Sequence, residues 1–304
     1  MSSQHAASGI VVGVDDSPAA REAVRWAARE AELRQLPLTI VHAISPEVSS
    51  WLRTPVPAGV LRWQHDHGRR LVDEAVKLVE RGSAHGGPAG VHTEVVPAAA
   101  AATLIDLSKD AEMVVTGAQG SGRWPGRLLG SVSSGLLRHA HCPVAVIHEP
   151  DPAPPASQAP VLVGVDGSPA SETATGIAFD EASRRRVGLV ALHSWSDLDA
   201  SDRPEGAGDD VPDTDWPATQ TVAEQVLAER LAGWQEQYPD VAVSRVVVQA
   251  QPARQLVAQS GQAQLVVVGS RGRGGFAGML VGSVSETVAQ MARVPVIVAR
   301  DAPA

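Results

Sequence analysis

Two textures alternate along this chain. Short unbroken aliphatic runs, such as "IVVGV" at 10–14 and "EMVVTG" at 112–117, give way to longer stretches where apolar residues return every three or four positions. The first texture predicts strands covered on both faces, and the second predicts helices with one buried side. In the first half, strands are expected on "IVVGV", "LTIVHAI", "VHTEVV", "EMVVTG" and "PVAVIH". Helices are expected from Ser17-Pro18, over Leu61 to about Gly82, over "AATLIDLSKDA", and over Ser131 to Ala140. Ser17 suits an N-cap and Pro18 a first helical position, while Val24, Ala27, Ala28 and Ala31 keep to one helical face.

The whole order then repeats. "IVVGVDDSPAA" at Ile10 returns as "VLVGVDGSPAS" at Val161, so Asp166 follows Asp15 by 151 residues. Late in each half stands a glycine frame, "GAQGSGRWPGRLLGS" from Gly117 and "GSRGRGGFAGMLVGS" from Gly269, 152 residues apart. Both read Gly, two residues, Gly, nine residues, Gly-Ser. An offset that holds across a whole domain predicts duplicated domains rather than a solenoid. The expected boundaries are 1–150 and 161–304, joined by a proline-rich linker at 151–160. Five strands alternating with helices in each half predict two tandem doubly wound, five-stranded parallel sheets of Rossmann-like α/β type.

In such sheets ligands sit beyond the carboxyl ends of the strands. Each frame leaves a strand at that edge and closes on Gly-Ser at a helix start, Gly130-Ser131-Val132 and Gly282-Ser283-Val284. A glycine-rich turn before the free amides of a helix N-terminus favours an anion such as phosphate, although a lone loop of this kind is as often a plain turn. Candidate contacts in the first frame are Gly117, Ala118, Gly120, Gly122, Arg123 and Arg127; in the second they are Gly269, Ser270, Arg271, Gly272, Arg273 and Gly274. The arginines suit phosphates or simply water. Ser131 and Ser283 are placed to cap their helices or to bond a ligand. Asp15 and Asp166 end the first strand of each half, where a carboxylate bonds a ribose, holds magnesium through water, or only complements a helix dipole. Neither frame has a Walker lysine, and no G-x-G-x-x-G follows the first strand. Nor does a duplicated Glu or Gln stand ready as a base for fast phosphoryl transfer.

Composition narrows the classes. Of 304 residues 44% are hydrophobic, 19% charged and 3% aromatic, as in a globular protein with alanine-rich helices on valine-rich strands. A net charge of -9 argues against nucleic-acid binding. The acidic stretch Ser196 to Trp216 holds most of it, and Asp197 there is a further ribose candidate. One cysteine, Cys142, forbids an intrachain disulfide and fits a reducing compartment. The start "MSSQHAASG" lacks signal-peptide features, and no apolar run reaches membrane-spanning length, so a cytoplasmic protein is expected. "HDH" at His65–His67 reads as a solvated helix rather than a metal site.

"GVDDSPAA", "GVDGSPAS" and the paired glycine frames resemble the universal stress protein family in its tandem two-domain form, over nearly the whole chain. The resemblance implies ATP in each domain, with magnesium, adenine near the ends of the first and second strands, and phosphates on the glycine loop. It marks Gly13, Asp15, Val41, Gly117, Gly120, Gly130, Ser131 and Val132. In the second copy it marks Gly164, Asp166, Leu192, Gly269, Gly272, Gly282, Ser283 and Val284, with Leu192 standing where the first copy has Val41. It further implies a stress-response signalling protein whose ATP occupancy alters conformation or partner choice, a homodimer, and final strands that pair through Val144–Ile147 and Val296–Val298. A slow ATPase or phosphotransfer enzyme is the alternative.

Overall fold

The strand runs become strands because their β-branched side chains pack well on a pleated surface. In the computed structural model, residues 9–44, 58–82, 86–120, 128–149, 156, 158–195, 216–273 and 280–300 are described. The first copy runs β1 (Ile10–Gly13), α1 (Pro18–Arg34), β2 (Leu38–Ala43), α2 (Ala58–Gly82), β3 (Val91–Val96), α3 (Ala100–Leu107), β4 (Met113–Gly117), α4 (Ser131–His139) and β5 (Val144–Ile147). The second runs β6 (Val161–Gly164), α5 (Pro169–Arg185), β7 (Leu189–Trp195), α6 (Trp216–Gln237), β8 (Val243–Gln249), α7 (Pro252–Ser260), β9 (Leu265–Gly269), α8 (Ser283–Met291) and β10 (Val296–Ala299).

Compactness divides the chain into Met1–Pro154 with Ala289–Ala304, and Pro155–Val288. In this division β10 and the last residues of α8 go with the first unit. Strands of the first unit lie in the order β3-β2-β1-β4-β5-β10. The first five are mutually parallel, and β10 runs antiparallel to β5 with Val296 opposite Val146 and Val298 opposite Val144. The pairing of final strands expected from sequence is therefore present, and it gives β5 a partner along what would otherwise be an open edge. All four residues of β5 and all four of β10 are buried. Arg300, just past β10, donates to the carbonyls of Leu136 and Leu137 at 3.0 and 2.6 Å, placing a cation at the carboxyl end of α4. In the second unit the order is β9-β6-β7-β8, all parallel. Its neighbours β6 and β9 repeat the arrangement of β1 and β4.

Small residues set the helix packing. Ala20, Ala23, Val24, Ala27, Ala28 and Ala31 of α1 are all buried, as are Ala170, Ala174, Ala178 and Ala182 of α5. The caps follow the sequence. Ser17 Oγ accepts from the Ala20 amide at 3.1 Å and Ser168 Oγ from the Ser171 amide at 3.2 Å, each ahead of its proline. Both helices end on a left-handed non-glycine residue, Gln35 and Arg186. A fully buried glutamate recurs near each end, and each is held by an arginine one turn on. Arg34 reaches Glu30 at 2.5 Å, and Arg185 reaches Glu181 at 2.8 Å. Such pairs are a condition of burying the carboxylate rather than a source of net stability. Among the described residues, no helix is long and apolar enough to cross a membrane.

Candidate functional site

The strand order of the first unit reverses between β1 and β4, because β2 lies to one side of β1 and β5 lies beyond β4. A cleft of about 840 Å³, open mouth included, occupies that point at the carboxyl ends of the strands. Four pieces of chain form most of it. The end of β1 contributes Gly13, Val14 and Asp15, and the end of β2 contributes Val41, His42 and Ala43. The turn after β4 contributes Gly117, Gln119 and Gly120, and the start of α4 contributes Gly130, Ser131, Val132 and Ser133. Leu104 of α3 adds an apolar wall. Every first-copy residue that the family resemblance marks therefore lines one cleft.

The glycine frame is a self-bonded loop. The Gly130 amide donates to the Ala118 carbonyl at 2.8 Å, and Ser133 Oγ donates to the same carbonyl at 2.9 Å. The second frame repeats this: the Gly282 amide reaches the Ser270 carbonyl at 2.7 Å, and Ser285 Oγ reaches the Gly269 carbonyl at 2.6 Å. Ala118 and Ser270 thus face inward, and both are buried; they hold the frame shut through their carbonyls. The first intrahelical bond of α4 runs from the Ser134 amide to the Gly130 carbonyl. The amides of Ser131, Val132 and Ser133 precede it and have no intrahelical acceptor. Ser131 does not cap its helix. Gly130 occupies the N-cap position without a side-chain bond, and the serine that binds back into the loop is Ser133.

The aspartates brace this loop. Asp15 Oδ1 accepts from the Ser17 amide at 3.0 Å, and Asp166 Oδ1 accepts from the Ser168 amide at 2.9 Å and its hydroxyl at 2.7 Å. The other oxygen turns to the glycine frame. A Cβ on Gly120 would lie 2.8 Å from Asp15 Oδ2, and one on Gly272 would lie 2.6 Å from Asp166 Oδ2. The Arg273 amide donates to Asp166 Oδ2 at 3.2 Å. A side chain at the middle glycine of each frame would therefore displace a carboxylate. Gly117 meets backbone instead: an added Cβ would sit 3.0 Å from Ala19 and Ala20. Crowding there acts on α1, while Gly117 also lines the cleft. Gly269 faces Ala170 and Ser171 in the same way, at 2.7 to 2.9 Å.

In the second copy Gly164, Asp166, Leu192, Gly269, Ser270, Arg271, Gly272, Arg273, Gly282, Ser283 and Val284 hold equivalent chain positions. Leu192 is buried like Val41. Gly122, Arg123, Arg127, Asp197 and Gly274 lie outside the described residues. The sequence reading missed a histidine pair. His42 Nδ1 donates to the Val14 carbonyl at 2.9 Å, and His193 Nδ1 donates to the Val165 carbonyl at 2.7 Å. A carbonyl only accepts, so Nδ1 carries the hydrogen and neutral His42 keeps Nε2 as an acceptor. The signal was present: both histidines sit at the fifth position of the second strand, 151 residues apart, inside runs read only for their apolar members. Cys142 is buried, and desolvation raises its thiol to about 12, so it has no place in chemistry at neutral pH.

A family model described as "Universal stress protein family" matches residues 8–148 and again 159–300. The chain belongs to the universal stress protein family. Both matches stop at the proline-rich segment, in keeping with two copies of one domain. A universal stress protein of Mycobacterium tuberculosis is 70% identical over 302 residues, covering 99% of each chain. One from Mycolicibacterium smegmatis is 52% identical over 295 residues, covering 96% of this chain and 97% of that one. Among solved structures, a universal stress protein from Archaeoglobus fulgidus superposes with a TM-score of 0.67 at 20% identity, covering 96% of each chain. At that identity the likeness is one of fold.

Proposed function

We propose that this universal stress protein binds ATP, one nucleotide in each copy, and acts as a regulatory module whose occupancy alters its conformation or its choice of partner. The observation carrying this reading is the convergence of Asp15, Val41, the Gly117–Gly120 turn and the α4 amides on one cleft at the strand switch point. These groups suit the chemistry of a nucleotide: amides at a helix start for phosphates, a carboxylate for a ribose hydroxyl or hydrated magnesium, and apolar Val41 and Leu104 for a base. When bound, ATP supplies a polyanion that draws the frame and α4 together. Asp15 and His42 are the titratable groups among the residues lining the cleft. Asp15 accepts the Ser17 amide through one oxygen, and His42 donates through Nδ1 to the Val14 carbonyl and keeps Nε2 as an acceptor. A regulatory role is favoured over rapid phosphoryl transfer because neither glycine frame carries a lysine to clamp the phosphates. A homodimer and a protein partner in stress or growth arrest belong to the same proposal.

Half-buried Val132 and its counterpart Val284 offer a clean test, because a carboxylate at either would face the phosphates at a helix start. Calorimetry on the full chain should give close to two ATP per chain, one after Val132→Asp or Val284→Asp, and none after both. Mass spectrometry of the nucleotide released from purified protein should identify ATP. Tight binding of a nicotinamide dinucleotide with no heat from ATP would overturn the proposal.

A further inference from the structure

The groove between the first and second helices is built differently in the two copies. In the second unit it is filled. Phe179 of α5 is fully buried and stacks with Trp234 and Tyr238, from α6 and just beyond it, at centroid distances of 6.2 and 5.8 Å. Trp234 presses so closely on α5 that a Cβ on Gly176 would meet its ring at 2.6 Å. The first unit places other residues at these positions. Ala28 stands for Phe179 and Arg25 for Gly176, each 151 residues earlier. On α2, buried Ala75 and Val79 match buried Leu227 and Leu231 at an offset of 152, and that register sets Gly82 against Trp234 and Arg81 against Gly233. The aromatic plug is gone and arginines take its place.

An open cleft of about 750 Å³ results between α1 and α2, with Ala28 and Leu78 as apolar lining and Arg25, Arg29, Arg81 and Glu32 around them. Arg25 pairs with Glu22, one turn earlier on its own helix. Among the described residues, neither Arg29 nor Arg81 has a carboxylate partner, and Glu32 accepts from the Gly87 amide at 3.4 Å. A cleft emptied of its aromatic plug and lined by Arg29 and Arg81, two guanidinium groups without a carboxylate partner among the described residues, is suited to an anion. Guanidinium forks bond phosphoryl oxygens in pairs, and the enclosed part of the cleft, about 320 Å³, admits a small ligand. We infer that the α1–α2 groove of the first unit is a second anion site, separate from the nucleotide cleft, for a small phosphate monoester held by Arg29 and Arg81 with its carbon skeleton on Leu78 and Ala28.

The test uses the full chain saturated with ATP, with inorganic phosphate and glucose 6-phosphate as probes. Amide and methyl NMR spectra should show shifts at Ala28, Arg29, Leu78 and Arg81 that saturate on titration, larger for the monoester. Arg29→Ala with Arg81→Ala should weaken the probe by about tenfold or more, since each lost bond to a charged group removes a comparable factor. Gly82→Trp, which restores the aromatic of the second copy, should abolish probe binding while leaving ATP stoichiometry and the circular dichroism spectrum unchanged. Absence of saturable shifts at these residues would overturn the inference, as would probe affinity that survives both the double arginine variant and Gly82→Trp.

Discussion

The two copies share a frame and differ in what fills it. In both, an aspartate stands two residues beyond a buried strand, a serine caps a helix two residues later, and a glycine frame closes on a helix start. What differs lies on the helix surfaces and at single positions between the shared residues. The second copy packs Phe179, Trp234 and Tyr238 between its first two helices, whereas the first leaves an arginine-lined groove. After the shared aspartate, the first copy has Asp16 and the second has Gly167 at φ 78°, against whose backbone the Arg230 guanidinium rests on its way to Glu172 at 3.2 Å. Duplication preserved the residues that the loop geometry requires and left the helix surfaces free to diverge. A carboxylate lying against a glycine leaves little room for a side chain, while a groove between helices can be either packed or opened.

The largest break in the comparison should come from the strands. Val146 is fully buried in β5 opposite Val296, whereas Val246 lies half-exposed in β8, a strand with one neighbour in the observed order. Val146→Lys should cost roughly 3–5 kcal/mol, as an unpaired buried charge does, and separate or aggregate the protein. Val246→Lys should cost under about 1 kcal/mol, because its stem can carry the ammonium out to water. Denaturant midpoints decide it, and equal midpoints for the two variants would remove the buried seam from the argument.

The first glycine of each frame comes next. Gly269→Ala drives a methyl to 2.7 Å of the α5 backbone and Gly117→Ala drives one to 3.0 Å of α1, so overpacking of about 1–3 kcal/mol is expected, larger at Gly269. Each variant should lose nucleotide in its own copy alone, and loss at both sites would mean that the copies are coupled. A smaller effect should attend exchange of the loop residues. Gly167→Asp must strain a positive φ and expel Arg230, costing about 1–2 kcal/mol, while Asp16→Gly should stay within about 0.5 kcal/mol of the parent. Equal costs would show that Arg230 contributes nothing to the loop. The smallest effect belongs to Cys142, whose counterpart is buried Val294. With the thiol raised to about 12 by burial, it stays protonated at pH 8, so alkylation should proceed only through unfolding. Cys142→Val should leave stability within about 0.5 kcal/mol. Rapid labelling of the folded protein would contradict the burial.

Much of the site was legible because its parts are local in sequence or repeated. Ser17-Pro18 is a cap wherever it stands before an alanine-rich face, and the two glycine frames announce each other. The histidines were missed because His42 and His193 gain meaning only when the strand carrying them lies beside the loop that offers a carbonyl. The contact of Gly117 with α1 was hidden for a similar reason: only the tertiary structure places Ala19 and Ala20 beside this strand end.

Sequence by itself determined the duplication, the alternation of strands and helices, the caps and the glycine frames, since each rests on residue spacing and short-range sterics. The tertiary structure alone decided which chain ends meet at the cleft and that Ser133 rather than Ser131 closes the loop. It also decided that one helix groove is plugged while its twin is open. These outcomes depend on contacts between residues far apart in the chain, where a side chain's effect is set by the space left by its neighbours rather than by its own preference.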